Sequence, residues 1–112
     1  MDKRTDREVK RVLARLGLSD NEQCVYLHLL ERGPGVVAVL GERCHMYRPM
    51  IYRVLKKLTS FELVYEVPHG KRTLYAAREP KQLLDAVARL AHDLTNVMPA
   101  LEELYRSRHA HE

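Results

Sequence analysis

The first half of the chain carries apolar residues at helical spacing, which predicts amphipathic helices. The spacing i, i+3, i+4, i+7 over residues 4–16 predicts the first helix, which Gly17 ends. Its apolar positions are Val9, Val12, Leu13 and Leu16. Ser19 and Glu22 have the spacing of a capping box, so a second helix is predicted from there to about Arg32. Its buried positions are expected to be Val25, Tyr26, Leu29 and Leu30.

Two further helices in the middle of the chain are predicted to be joined by a short turn. The first covers residues 36–44, with Val37 and Leu40 facing inward. The second covers residues 48–60, where Pro49 suits the first helical turn and the same apolar spacing recurs after it. Its core positions are Ile51, Val54, Leu55 and Leu58. Two helices joined in this way are typical of a helix-turn-helix.

A β-hairpin is predicted after these helices. Residues 63–67 and residues 71–77 are rich in β-branched and aromatic side chains, and Pro68-His69-Gly70 separates them as a turn. Basic residues follow this turn directly, so the tip of the hairpin is expected to be positively charged.

The last predicted helix begins at Pro80 and carries an apolar stripe whose positions step alternately by four and three residues. The members of this terminal stripe are Leu83, Val87, Leu90, Leu94, Val97, Leu101 and Leu104. Pro99 lies within the helix and should kink it or restart it near Asn96. The stripe packs either on its own domain or against a second copy. We favour a homodimer, because so short a chain has little left to cover a heptad stripe.

These elements describe a fold that is mainly α with a small β-hairpin. It is a winged helix-turn-helix with an N-terminal helix and a long C-terminal dimerisation helix. Residues 1–79 would form the DNA-binding unit and residues 80–112 the dimerisation helix. Because 112 residues leave no room for two ordinary domains, the two parts are expected to form a single compact domain.

The net charge of +4 is concentrated in the middle third of the chain. Residues 43–78 hold eight basic and two acidic residues, whereas the preceding segment is neutral and the following one slightly acidic. A surface that binds a polyanion needs this concentration, although a merely solvated basic face has the same composition. No apolar run approaches the ~20 residues that span a bilayer, and no secretory leader opens the chain. No membrane partner is therefore expected.

The basic side of the helix at residues 48–60 lies opposite its core positions on a helical wheel. A helix that presents Arg and Lys in this way can enter the major groove of DNA. Arg53 is the best candidate for bidentate contact with guanine, while the other basic residues of the helix are expected to meet phosphates. The wing, residues 68–73, would contact the backbone or the minor groove. The predicted DNA-binding residues are Arg48, Pro49, Met50, Tyr52, Arg53, Lys56, Lys57, His69, Lys71 and Arg72.

The two cysteines, Cys24 and Cys44, are too few for a disulfide scaffold, and a reducing cytoplasm is the default for such a chain. Cys24 and His28 lie one turn apart and could supply half of a zinc site, with Cys44-His45 offering further ligands. Since a structural zinc site needs four placed ligands, no metal and no cofactor are expected. Redox sensing is the other role open to the cysteines. No Gly-rich phosphate loop or nucleophile motif occurs, so we do not expect an enzyme.

Three stretches of the chain resemble TrmB-type transcriptional regulators. LGLSDNEQCVYLHLLERGPG resembles the opening of that family, YRPMIYRVLKKL its recognition helix, and LVYEVPHGKRTLYAAREPKQLL its wing. The resemblance covers about residues 12–84 and implies a winged-helix transcriptional regulator, an architecture shared with PadR- and MarR-like regulators. It also implies that the Tyr52 hydroxyl donates to a phosphate, the alternative being that Tyr52 packs against the wing. Larger members carry a C-terminal sugar-binding domain, and no such effector domain is expected here because the chain ends at Glu112.

Several residues depart from the pattern of that family. Its helix-turn-helix usually has Ala and then Gly four residues later, whereas this chain has Gly41 and His45. His45 is therefore expected to adopt a left-handed conformation, which His tolerates better than most residues. Glu62 stands where the family prefers Gly before the wing, and Val36 replaces the usual Ser or Thr helix cap.

The sequence thus predicts a sequence-specific, dimeric transcription regulator whose partner is double-stranded DNA, located in the cytoplasm on the nucleoid. One alternative is a winged helix used for protein contact, and another is a low-specificity, chromatin-like DNA binder. The sequence names no small-molecule effector.

Overall fold

Helices and a short hairpin follow one another in the predicted order. The structure is a computed structural model, and it describes residues 1–109. Residues 110–112, the end of the predicted terminal segment, lie outside the described residues. Within the described part the elements are α1 (Lys3–Arg15), α2 (Asp20–Arg32), α3 (Val37–Arg43), α4 (Arg48–Ser60), β1 (Val64–His69), β2 (Arg72–Ala77) and α5 (Lys81–His109). The predicted mainly helical winged helix-turn-helix with a long last helix is confirmed.

The starts of the first two helices are fixed by side-chain caps. The Asp2 carboxylate accepts the backbone N–H of Thr5 at 2.7 Å. The predicted capping box of α2 is confirmed, because the Glu22 N–H donates to the Ser19 hydroxyl at 3.2 Å and the Ser19 N–H donates to the Glu22 carboxylate at 2.8 Å. In contrast, α3 starts at Val36 without a side-chain cap, so packing rather than capping must define its start.

The turn between α3 and α4 explains why this chain departs from the usual Ala and Gly. His45 has φ of 54°, which confirms the predicted left-handed conformation. The Met46 N–H donates to the Gly41 carbonyl at 2.9 Å, and a Cβ on Gly41 would lie only 2.8 Å from the Met46 carbonyl oxygen. Gly41 is thus needed where the backbone of the turn crosses α3, while the left-handed position is occupied by a residue with a side chain.

The wing is tied to the body of the protein by backbone hydrogen bonds. Strands β1 and β2 are antiparallel, from Val64 opposite Ala77 to His69 opposite Arg72, which leaves Gly70-Lys71 as the turn. The predicted turn at residues 68–70 is therefore displaced, since β1 includes Pro68 and His69 and β2 begins at Arg72 rather than at Lys71. On the other edge of β2, Gly35 and Tyr75 exchange two backbone hydrogen bonds of 2.9 and 2.8 Å. The link between α2 and α3 thus supports the base of the wing.

The core lies between α2, α3, α4 and the start of the hairpin. Its fully buried large side chains are Tyr26, Leu29, Leu40, Ile51, Leu55, Leu58, Val25 and Val64. The expectation that Leu30 is buried is wrong, since it is 38% exposed, one helical step away from the buried Leu29. On α1 only Leu13 of the predicted stripe is fully buried. Gln23 is a buried polar residue that the sequence pattern missed, and its side-chain amide donates to the Leu18 carbonyl at 2.9 Å.

The last helix differs from the others because none of its residues is fully buried. It runs unbroken through Pro99, so the alternative of a restart near Asn96 is wrong. Proline removes one hydrogen bond, to the carbonyl of Thr95, and on an exposed helix solvent can replace it. Leu83 is partly buried against the core, whereas the other six members of the terminal stripe are 41% to 68% exposed.

Candidate nucleic-acid interface

Packing of α4 determines which of its side chains face outward. The four core positions predicted for this helix are all buried, with exposures of 0% to 6%. They fix the rotation of α4 about its axis, so that the opposite side points away from the body of the protein. Arg48 is exposed at the start of the helix, on the side of Tyr52. The exposed side chains on the side opposite the core are Pro49, Arg53, Lys56 and Ser60. We call these four residues the outer face of α4.

The two flanks of α4 have different neighbours. Met50 and Lys57 lie on the flank next to α2, where the Asn21 side-chain amide donates to the Met50 sulfur at 3.4 Å. Tyr52 lies on the other flank, 48% exposed, beside the first residues of α3 and the wing. The three residues therefore do not form one uniform border around the outer face.

Lys57 has a different environment from the one expected for a phosphate contact. Its ammonium donates to the Glu22 carboxylate at 2.8 Å and to the Gly17 carbonyl at 3.0 Å. Burial alone would raise the pKa of Glu22, but hydrogen bonds from Lys57 and Ser19 and the charge of Lys57 hold it below its ordinary value. Lys57 thus joins α4 to the α1–α2 link. Because its ammonium is paired within the protein, Lys57 is less available to a phosphate.

A concave surface brings α4 and the wing together. It is lined by Val36, Val37, Ala38 and Val39 from the start of α3, by Arg48 and Tyr52 from α4, and by Lys71, Arg72, Thr73 and Tyr75 from the hairpin. Four of the predicted DNA-binding residues therefore share one depression. Arg53 and Lys56 lie exposed on α4 outside its lining, and His69 lies exposed at the end of β1.

The charges at this surface are available to an external anion. Among the ion pairs within residues 1–109, none involves Arg48, Arg53, Lys56, Lys71 or Arg72. Arg78 differs, since its guanidinium stacks over the Tyr65 ring at 4.9 Å. Burial raises the pKa of the Tyr75 hydroxyl, and the negative charge of Glu66 and the neighbouring Tyr52 raise it further. This hydroxyl therefore remains a neutral donor at the edge of the depression.

One exposed residue beside α4, Tyr47, was not singled out from the sequence. Tyr47 immediately precedes α4 and is 86% exposed. It lies next to the first turn of the helix, where a recognition helix typically contacts base edges. An aromatic residue beside the predicted helix start was the available signal, but the apolar pattern gave no reason to place it outside the core.

The cysteines are not the free thiols that a reducing compartment would give. The sulfur atoms of Cys24 and Cys44 form a disulfide between α2 and the end of α3, and the two Cα atoms lie 6.0 Å apart. Cys24 is partly buried against the core. With its sulfur bonded to Cys44, Cys24 does not form the zinc half-site with His28 that its spacing left open. Residues 1–109 contain no group of three or more His, Cys, Asp or Glu side chains placed to hold a metal ion.

Solved structures with a similar fold include one described as a possible transcriptional regulator and two in complex with DNA. A protein of Methanosarcina mazei Go1 described as a possible transcriptional regulator has a TM-score of 0.65 at 13% identity, covering 87% of this chain and 88% of that one. The S. aureus MepR–DNA complex has a TM-score of 0.59 at 10% identity, covering 97% and 93%. A cysteine-to-serine mutant of Lactococcus lactis ZitR in complex with DNA has a TM-score of 0.53 at 18% identity, and the match covers 78% of this chain and 60% of that one. At such identities the likeness establishes the fold.

No curated protein sequence matches the chain. Within residues 1–109 none of the helices is long and apolar enough to cross a membrane. The family described as sugar-specific transcriptional regulator TrmB matches residues 13–81, which is more than half of the chain. The members of that family are described as regulators of transcription. The chain belongs to the TrmB family of transcriptional regulators.

Proposed function

We propose that the protein binds duplex DNA as a homodimer and recognises a specific sequence, with α4 in the major groove and the wing, residues 68–73, on the backbone or in the minor groove. The observation that carries this proposal is the set of unpaired basic side chains on the outer face of α4 and on the adjoining wing. A cationic helix face held rigidly by its own core matches the requirements of major-groove recognition.

The arrangement divides the expected contacts into two kinds. Arg53 projects from the middle of α4, where the backbone is fixed by Ile51 and Leu55 beneath it. A planar guanidinium on such a rigid support can make a bidentate contact with guanine. Lys71 and Arg72 lie at the hairpin turn, so they suit sequence-independent contacts with phosphate or the minor groove.

The depression between α4 and the wing supports contacts with the phosphate backbone. Arg48 and Tyr52 face the basic turn of the hairpin across it. A strand of DNA backbone lying there would meet cations on both sides and a neutral tyrosine hydroxyl as a hydrogen-bond donor. Two structural neighbours, MepR and ZitR, have been solved in complex with DNA, which is consistent with this use of the fold.

A homodimer is proposed through α5. The helix has 29 residues, or about 43 Å of length, and most of its terminal stripe is solvent-exposed. The stripe continues into an apolar groove beside the first turns of α5, lined in part by Leu16, Phe61 and Leu63. A second copy can cover the stripe by heptad packing, and a two-fold dimer would present two α4 helices to two half-sites. Binding to chromosomal DNA would place the protein in the cytoplasm on the nucleoid.

The test is the salt dependence of binding to duplex DNA. With roughly 6–10 phosphate contacts per dimer, affinity should fall by ~10³ or more between 50 and 200 mM salt. Arg48→Ala should make the slope of log affinity against log salt shallower. Lys10→Ala is the matched control, since Lys10 is a cation on α1 that is already paired with Asp6 at 3.1 Å, and it should leave the slope unchanged.

Selection of binding sites from a pool of random duplexes separates the remaining alternatives. A preferred, two-fold related sequence supports the proposal. A steep salt slope without sequence preference would indicate the low-specificity, chromatin-like binder. A flat salt response would reject DNA as the partner and favour a module for protein contact.

A further inference from the structure

The α3–α4 turn is connected to α2 at two points that share one side of that helix. Asn21 and Cys24 are three residues apart on α2, so their side chains project from the same side. Asn21 donates to the sulfur of Met50 in the first turn of α4. Cys24 is bonded to Cys44, the residue that ends α3. The side of α2 that carries these two residues therefore sets the position of the turn.

The bond is placed where its loss would affect the start of α4 and little else. Cys44 is followed by His45 in a left-handed conformation, and α4 begins three residues later at Arg48. Farther along, Leu55 and Leu58 are buried in the core, which should keep the rest of α4 in place after reduction. Reduction should consequently loosen the turn and the first residues of α4, including Tyr47 and Arg48.

We propose that Cys24 and Cys44 form a reversible dithiol–disulfide switch, in which the bonded state holds the start of α4 in the DNA-binding position and reduction weakens binding. This inference rests on the proposed DNA-binding function. The Cα separation of 6.0 Å is within the range that a disulfide bridges without backbone movement. Cys24 also lines a surface groove whose charged residues are Asp6, Lys10, Asp20 and Glu31, which gives reagents a route to this residue, whereas Cys44 is only 8% exposed.

The oxidant is a hydroperoxide, which reacts first at Cys24. The Cys24 thiolate attacks one peroxide oxygen, the O–O bond breaks, and the departing alkoxide takes a proton to become an alcohol. The Cys44 thiolate then attacks the resulting sulfenic acid, the S–S bond forms, and the departing hydroxide becomes water. Two thiols lose two electrons and two protons, and the hydroperoxide is reduced to alcohol and water. In reverse, one thiolate of a dithiol reductant attacks the Cys24 sulfur, and Cys44 leaves as a thiolate that takes up a proton. The second thiolate of the reductant then attacks the reductant sulfur of this mixed disulfide, Cys24 leaves as a thiolate that takes up a proton, and the reductant ends as a cyclic disulfide.

The experiment compares the full chain after treatment with tert-butyl hydroperoxide and after reduction by a dithiol. Alkylation followed by mass measurement of the intact chain reports the state of both sulfurs. Because the bond closes a loop with a sequence separation of 20, reduction should lower Tm by about 10 °C at a fixed protein concentration. Affinity for a fluorescein-labelled duplex of random sequence should fall at least about fivefold.

Two variants provide the control. Cys24→Ser and Cys44→Ala should each bind like the reduced wild type and no longer respond to hydroperoxide. If the buried Cys44→Ala variant fails to fold, the duplex affinity of Cys24→Ser alone tests the switch. Equal duplex affinity of the two wild-type forms, a bond that forms between chains, or a bond that a dithiol cannot reduce would each overturn the switch. If neither form binds duplex at low salt, the proposed function is at fault, and an unchanged Tm would then also overturn the bond within the chain.

Discussion

Two helices of this protein each carry an apolar stripe at helical spacing, with opposite results. In α4 the apolar residues spaced i, i+3, i+4, i+7 are 0% to 6% exposed. In α5 the terminal stripe, whose positions step alternately by four and three residues, is longer, yet from Val87 onward its members are 41% to 68% exposed. The spacing of apolar residues thus specifies a helix and one of its sides, but not what will cover that side.

The difference follows from what surrounds each helix. Helix α4 lies between α2, α3 and β1, all of which turn apolar residues toward it. Helix α5 touches the body of the protein near its start, through Leu83 and through the ion pair of Arg89 with Glu62 at 3.4 Å. Beyond this region residues 1–109 supply nothing to cover its stripe. The body, residues 13–77, and α5 should therefore respond differently to the same kind of substitution.

The largest effect is expected when acidic residues are placed on the terminal stripe. Leu90→Asp combined with Leu94→Asp should convert a dimer into monomers, because two carboxylates cannot be buried at a helix–helix contact without partners. Loss of the second half-site should then lower duplex affinity by ~10²–10⁴-fold. Sedimentation at micromolar concentration and duplex binding measure the two effects.

The matched control places the same charges on the other side of α5. His92→Asp combined with Asn96→Asp adds two carboxylates roughly opposite the stripe. This variant should remain dimeric and lose much less affinity. A wild-type protein that sediments as a monomer would contradict the dimer, as would equal behaviour of the two double variants.

A second prediction compares leucines of the two helices directly. In the monomeric Leu90→Asp/Leu94→Asp background, Leu58→Ala should lower the free energy of unfolding by about 2–5 kcal/mol, because Leu58 is fully buried. Leu101→Ala, at a position that is 46% exposed, should change it by about 0.5 kcal/mol or less. Urea denaturation gives both values. A comparable loss for Leu101→Ala would mean that α5 folds back on the body.

Much of the body could be predicted from the sequence because its local signals agree. The capping box at Ser19, the spacing after Pro49 and the β-branched and aromatic runs around residues 68–70 each marked an element that the structure contains, although the turn itself is at Gly70-Lys71. The departures from the family pattern placed His45 in its left-handed conformation. Such features depend on neighbours along the chain, which a single sequence displays.

The missed features depend on neighbours in space. Lys57 is paired with Glu22, 35 residues away along the chain, and Cys24 is bonded to Cys44. Nothing near Lys57 in the sequence distinguishes it from the exposed Lys56. Leu30 is as apolar as a core residue, but it lies one helical step away from the side of α2 that contacts the other helices. These outcomes depend on how the helices cross, which apolar spacing does not encode.

A third prediction separates the two kinds of DNA contact in the body. Arg53→Ala should lower affinity for the preferred site by ~1–3 kcal/mol per half-site and affect random duplex far less. Lys71→Ala with Arg72→Ala should weaken binding to both duplexes about equally and make the salt slope shallower. Competition binding at two salt concentrations measures these differences. If Arg53→Ala weakens both duplexes equally, Arg53 is a phosphate contact and specificity must come from Pro49, Met50 or DNA shape.

A fourth prediction uses the adjacent Lys56 and Lys57 as a matched pair. Lys57→Ala should lower the free energy of unfolding by roughly 0.5–1 kcal/mol near neutral pH, a value reduced by the 39% exposure of the Lys57 side chain. Lys56→Ala should leave stability nearly unchanged but make the salt slope of DNA binding shallower by about 1. If instead Lys57→Ala alters only the salt slope, the pair with Glu22 does not hold in solution.

The pH dependence of this pair has a defined sign. The folded protein holds the pKa of Glu22 below its ordinary value of 4.5, so ionised Glu22 stabilises the fold. That contribution is present above the pKa of the unfolded chain and is lost as pH falls through the lower pKa of the folded state. The stability difference between wild type and Lys57→Ala should therefore shrink in acid below about pH 4.5, and chemical denaturation over this range measures it.

The smallest effects on stability are expected at the two non-glycine residues with left-handed backbones, His45 and Glu62. Comparing them tests the contact between the body and the start of α5. A left-handed conformation costs an ordinary residue roughly 1–2 kcal/mol, which substitution by Gly removes. The greater flexibility of Gly in the unfolded chain offsets about 0.5–1 kcal/mol of this gain in stability. His45→Gly, at φ of 54°, should therefore stabilise the protein by a few tenths to about 1 kcal/mol. Glu62→Gly, at φ of 60°, relieves the same strain but also removes the ion pair with Arg89.

The difference in stability between these two variants measures the contribution of the Arg89–Glu62 ion pair. Because the side chains of Arg89 and Glu62 are 49% and 61% exposed, the pair is worth at most about 1 kcal/mol and weakens with salt. Glu62→Gly should therefore stabilise less than His45→Gly at low salt, and the gap should close at high salt. In an Arg89→Ala background the two substitutions should have nearly equal effects. A gap that persists in that background would show that the ion pair does not hold the start of α5 to the body, leaving Leu83 as the anchor, whereas a destabilising His45→Gly would contradict the left-handed turn itself.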